Sequence, residues 1–213
     1  MLPSVLVLDL DFTIARFEGG YDAIYDAVAP FGVERNVARE ILEDTLQTQV
    51  GFNFLRYAQA LSNAVPNADV KEIVRTLDLL LDRVFRAYPE VEEIFEKFRR
   101  ESIPIRIVTT GNRSFHKRKV FAIGFPLDEA LFTDITVGKV GAIQEILETF
   151  DYSEKPIWYV DDRREELSRI AEDPRIDSTR IRFFEMVRPD CPNISPRPDP
   201  RFTRIASLRE LPN

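Results

Sequence analysis

Hydrophobic positions along the chain follow two different periods. Val5 to Leu8 form a continuous apolar run, the pattern of a strand buried on both faces, and the run stops at Asp9. From Tyr21 the spacing turns helical. Tyr21, Ile24, Tyr25 and Val28 share one face before Pro30 and Gly32 break the run. Val37, Ile41, Leu42 and Leu46 mark a second helix ending near Gly51, and Phe54, Leu55, Ala58 and Leu61 a third ending before Pro66. The fourth is the most regular, with Val70, Ile73, Val74, Leu77, Leu81, Val84, Phe85 and Tyr88 at i, i+3, i+4, i+7 spacing. Four amphipathic helices in succession predict a small bundle with its own core.

Beyond Pro89 the two periods alternate. Val91, Ile94, Phe95 and Phe98 are the buried stripe of a helix, and Ile105 to Val108 a strand that ends in TTGN. A helix follows through Phe115, Val120 and Phe121 to Gly124. Phe132 to Val137 read as a short strand, Ala142, Ile143, Ile146, Leu147 and Phe150 as a helix, and Pro156 to Val160 as a strand ending in DD. Leu167 and Ile170 predict a short helix and Ile181 to Phe184 a last strand. Residues 189–200 hold five of the 14 prolines, which suits an irregular surface segment. The layout predicts an α/β core domain (1–13 and 89–213) interrupted by a helical insertion (14–88).

Composition narrows the class. The chain has 213 residues, 44% of them hydrophobic, enough to bury a core. A net charge of −7 provides no overall field for nucleic acid. The lone cysteine, Cys191, excludes an intrachain disulfide and a cysteine metal cluster, as expected in a reducing compartment. The first apolar run is too short for a signal peptide, and no stretch has the roughly 20 apolar residues of a membrane span. The expectation is a cytoplasmic protein with no membrane partner.

Chemistry concentrates where predicted strands end or the next helix begins: DLDFT (9–13), TTGN (109–112), GK (138–139) and DDRREE (161–166). Parallel strands joined by helices bring such ends to one sheet edge. Buried carboxylates there are costly unless paired, hydrogen-bonded or bound to a metal. Taken alone, the basic run from Arg113 to Lys119, which contains the only histidine, His116, reads as a solvated helix face, and Cys191 as incidental.

In order and register these segments, as VLVLDLDFT, IRIVTTGN, VGKVGAI and IWYVDD, resemble the motifs of the haloacid dehalogenase superfamily, in particular its phosphatase-like members. The resemblance covers nearly all of the chain outside 14–88, where many members carry a helical cap. It implies a Rossmann-like three-layer parallel sheet with an inserted helical cap. It also implies a Mg²⁺-dependent phosphomonoester hydrolase acting on a small phosphorylated metabolite. Asp9 would be the nucleophile and Asp11 the general acid and base; Thr109, Thr110, Gly111 and Lys139 would hold the phosphoryl group. Asp9, the Asp11 carbonyl and Asp162 with Asp161 would hold the metal.

Two positions depart from the family pattern. Phe12 stands where glycine is common, so it either narrows the site or stacks on substrate. Arg163 and Arg164 follow the acidic pair, leaving Glu165 and Glu166 as candidate supporting acids. Retention of Asp11 separates the chain from dehalogenases and phosphonatases, which lack the second acid. A phosphosugar mutase shares all four motifs, and a non-catalytic metal- or phosphate-binding protein would keep the fold. A bacterial receiver domain has its acids in a different order. Within the insertion, Arg16 and Tyr21 are the candidates for substrate contact.

Overall fold

The computed structural model describes residues 2–48, 51–66, 68–150, 155–191 and 194–212. After β1 (Leu6–Leu8) come β2 (Ala15–Phe17), α1 (Asp22–Val28), α2 (Arg35–Leu46), α3 (Phe54–Ala64), α4 (Val70–Val84) and β3 (Phe85–Ala87). Then follow α5 (Val91–Arg100), β4 (Ile105–Thr110), α6 (Arg113–Ala122), β5 (Ala130–Thr133), α7 (Val140–Thr149) and β6 (Ile157–Asp161). The last elements are α8 (Arg164–Glu172), β7 (Ile181–Met186) and β8 (Thr203–Ile205).

Six strands form one parallel sheet in the order β5-β4-β1-β6-β7-β8. Side chains alternate between its faces. Leu6, Leu8, Ile105, Ile107, Trp158, Val160 and Phe184 pack with α5, α6 and the insertion. Val5, Val7, Val108, Ile157, Tyr159 and Phe183 pack with α7 and α8. The result is three layers, helix on sheet on helix. Instead of forming a core of their own, the buried residues of α1 to α4 are continuous with those of the first sheet face.

One helix and two strand expectations are corrected, and further short strands appear. The helical run ending at Tyr88 stops at Val84, because Phe85–Ala87 pairs antiparallel with Ala15–Phe17. Those two short strands are the paths into and out of the insertion, and neither shows a periodic pattern of its own. The strand expected over 132–137 spans 130–133 instead; Asp134 accepts hydrogen bonds from the Thr136 backbone (3.0 Å) and hydroxyl (2.9 Å). That Asx turn overrides the strand preference of Ile135 and Val137. The strand at 181 extends to Met186, and Thr203–Ile205 adds an unexpected edge strand beside it.

Arg188, in the segment after β7, fastens both paths. Its guanidinium donates to the Thr13 carbonyl at 2.8 Å, pairs with Glu90 at 2.8 Å and lies 3.5 Å from the Tyr88 ring centre. Arg188 and Glu90 are both buried, so removing one partner strands the other's charge. Arg188→Met is expected to cost about 3 kcal/mol in urea unfolding. Adding Glu90→Gln should restore part of the loss, and a cost below about 1 kcal/mol would rule this fastening out.

Candidate active site

The sheet order reverses at β1, where Leu8 pairs with Ile107 of β4 on one side and Val160 of β6 on the other. Ligands of open α/β sheets bind beyond the strand ends at such a reversal. Asp9 emerges there, its backbone N–H donating to the Val160 carbonyl at 2.9 Å. Thr109 and Thr110 close β4, Asp161 closes β6 with Asp162 next, and Lys139 immediately precedes α7. A cavity of about 400 Å³ collects Asp9, Asp11, Thr109, Thr110, Gly111, Lys139 and Asp162 in its lining. Asp161 lies behind this surface, fully buried, and reaches it through Lys139.

The Lys139 ammonium bonds Asp9 Oδ1 and sits 2.6 Å from Asp161 Oδ2. Burial alone would lower its pKa; Asp161 and Asp9 outweigh that and push it above the ordinary lysine range. Asp161 also accepts from the Tyr159 hydroxyl and, at 2.9 Å, from the Arg163 backbone N–H. Burial, with Asp161 adding to it, raises Tyr159 and keeps its hydroxyl protonated as a donor. Burial likewise pushes Asp9 well above the usual carboxylate range; Lys139 opposes this, while Asp161, Asp162 and Asp11 add to it.

Oxygen atoms of Asp9, Asp161 and Asp162 lie within 4.8 Å of one another. An all-oxygen set of this kind fits a hard divalent cation, whose charge would offset the acidic neighbours that add to the effect of burial on Asp9. Cys191 is not incidental: it is buried, and its thiol donates to Asp162 Oδ2 at 3.2 Å. Glu166 is buried with Oε2 unpartnered at the cavity wall, whereas Glu165 is exposed.

Helix α6 requires a larger correction. Arg113 and Lys117 are exposed as expected, but His116 and Lys119 are buried. They lie three residues apart on the face that also carries Phe115 and Val120, so the helix presents both inward. The Lys119 side chain is 4% exposed, pairs with the Asp11 carboxylate and has its ammonium 5.1 and 5.3 Å from the ring centres of Phe85 and Phe115. His116 Nδ1 lies 2.8 Å from Thr109 Oγ1. Sequence reasoning missed these two because a run of charge reads as solvent-facing. The available signal was their spacing in phase with Phe115 and Val120.

The insertion and its root supply the opposite wall through Phe12, Arg16, Phe17, Tyr21, Leu46 and Phe52. Phe12 has φ 56°, the left-handed region that glycine adopts freely and a bulky side chain rarely does. Its side chain lines the cavity. Arg16 is 2.5 Å from Asp190, which also accepts from the Tyr88 hydroxyl at 3.1 Å.

Burial, reinforced by Lys119, pushes the His116 pKa down to about 3. The unfolded chain then binds a proton that the folded protein does not, from about pH 6.5 down to about pH 3, so stability falls as pH falls through this window. On this basis the histidine accounts for about 2 kcal/mol of lost stability between pH 7.5 and pH 5. Urea unfolding at the two pH values should show a smaller loss in His116→Asn; an equal loss would assign the acid sensitivity elsewhere.

No protein-family model matches the chain, and no curated protein matches it. Solved structures do. A haloacid dehalogenase-like hydrolase from Burkholderia xenovorans aligns at TM-score 0.66 and 19% identity, over 95% of this chain and 92% of its own. A dehalogenase with an intermediate complex aligns at TM-score 0.63 and 15% identity, over 99% and 97%. CbbY from Rhodobacter sphaeroides, in complex with phosphate, aligns at TM-score 0.55 and 17% identity, over 99% and 96%.

Proposed function

We propose that this chain, whose fold is that of haloacid dehalogenase-like hydrolases, belongs to their superfamily and is a Mg²⁺-dependent phosphomonoester hydrolase acting on a small phosphorylated metabolite. The observation that carries the reading is Asp9 at the sheet reversal, held by Lys139 and grouped with Asp162, with Asp11 kept in the same cavity. A cavity of about 400 Å³ suits a small molecule.

Lys139 fixes Asp9 Oδ1, leaving the other oxygen to attack phosphorus. The P–O bond to the leaving group breaks as the Asp9–phosphorus bond forms, giving an aspartyl-phosphate. Asp11 supplies the leaving oxygen with a proton and then takes one from the water that releases phosphate. Thr109 donates to a phosphoryl oxygen, with Thr110 and Gly111 beside it, the Gly111 N–H being already given to the Thr133 carbonyl at 3.0 Å, while Lys139 offsets the phosphoryl charge. Asp9, Asp162 and the Asp11 carbonyl would hold Mg²⁺, with Asp161, which already accepts three hydrogen bonds, anchoring Lys139 behind them. Bound there, the cation supplies Lewis-acid polarisation of the phosphoryl group. Residues 14–88 serve as the cap over the sheet edge, excluding water.

Phosphate release from a panel of phosphomonoesters is the direct test. Turnover should require Mg²⁺ and fall by roughly 10³-fold or more in Asp9→Asn. Folded protein that binds Mg²⁺ but turns over nothing would favour the non-catalytic reading. The role of Asp11 is read separately. Asp11→Asn should lose far more rate on alkyl phosphates, whose leaving oxygen needs a proton, than on p-nitrophenyl phosphate, which needs little help. Equal losses on both would remove Asp11 as the acid.

A further inference from the structure

His116 is the only histidine in the chain, and the hydrolysis outlined above gives it no part. We infer that it is a positioning residue for Thr109: its Nδ1–H donates to Thr109 Oγ1, leaving the hydroxyl proton to point at a phosphoryl oxygen. This rests on the phosphate-ester reading, since it needs an oxyanion beside Thr109.

A threonine hydroxyl has one proton and two lone pairs. The 2.8 Å contact can be made in two ways, and the tautomer decides which. If Thr109 donates to a bare Nδ1, its proton is consumed and none remains for substrate. If Nδ1–H donates, the proton is available. The other ring nitrogen bears on the choice. Nε2 meets no hydrogen-bonding side chain among the described residues, so a ring proton placed there would find no side-chain acceptor. At Nδ1 the proton finds Thr109 Oγ1 at 2.8 Å, which favours Nδ1–H.

The surroundings hold this arrangement still. Thr109 is 2% and His116 9% exposed, so little water reaches the hydroxyl to reorient it. Asn112 starts the helix by accepting from the Phe115 backbone at 3.1 Å and, through its carbonyl, from His116 at 2.9 Å. On the other side the Thr133 hydroxyl donates to the Thr109 carbonyl at 3.2 Å. Thr109 is therefore held by its side chain from α6 and by its backbone from β5. Burial, with Lys119 and Lys139 and against the pull of Asp11, keeps the imidazole uncharged. It therefore acts by orienting a donor, while Lys139 provides the positive charge. Donors fixed in place before reaction are the ones that favour a transition state.

The experiment has two arms, neither of which needs turnover. In ¹⁵N-histidine-labelled wild type at neutral pH, the single imidazole should show a protonated Nδ1 and a bare Nε2; the opposite tautomer overturns the inference. Inorganic phosphate binding with Mg²⁺ present is then measured by calorimetry. His116→Asn sets an amide close to where Nδ1 stood, whereas His116→Gln sets it near Nε2. The Asn variant should bind within about twofold of wild type, and Gln and Ala should weaken binding about five- to tenfold. An Asn variant as weak as Gln, or a Gln variant as strong as wild type, overturns the assignment. So does wild type that binds no phosphate. If both arms come out as expected and no ester is hydrolysed, the positioning role stands and the hydrolase reading fails.

Discussion

The Lys139 ammonium is buried between Asp9 and Asp161, and much of the architecture serves that placement. Buried ions are tolerated only where geometry is close and every remaining lone pair and proton finds a partner. Two strand ends and one helix start supply that close geometry because β1 and β6 are parallel, adjacent and in fixed register. Tyr159 shows how deep the provision goes. It points from the middle of β6 toward the face packed by α7 and α8, yet its hydroxyl ends on Asp161, so one residue serves both core and site.

The second constraint is the attachment of the insertion. Two three-residue strands would be too short to persist alone. Here they pair with each other, Tyr88 donates its backbone N–H to the Ile14 carbonyl at 2.9 Å, and Arg188 ties both paths to the segment after β7. The same segment delivers Asp190 to Arg16 and Cys191 to Asp162. The start of the proline-rich stretch thus touches the insertion's root and the acidic cluster together.

The sheet and its helices were legible because burial imposes a period, and VLVL or IWYV followed by acids is hard to mistake. The convergence of Asp9, Thr109, Lys139 and Asp162 follows from the same pattern once the strands are taken as parallel. What stayed hidden lacks a period or contradicts it. β2, β3 and β8 are held by pairing partners far away in sequence, which no local window contains. Lys119 and His116 break the rule that charge faces water, since Asp11, Thr109 and two aromatic rings compensate them inside. Cys191 was unreadable because nothing near it in sequence names Asp162 as its neighbour.

Gly111 has φ 149° and presses against the ring of His116. A side chain at position 111 would need the space the imidazole fills, and a smaller residue at 116 would leave that space open. In evolutionary terms the dependence runs one way: a side chain at 111 is blocked until 116 shrinks, and a lineage that lost the glycine would have to rebuild the support of Thr109 from another element of the fold.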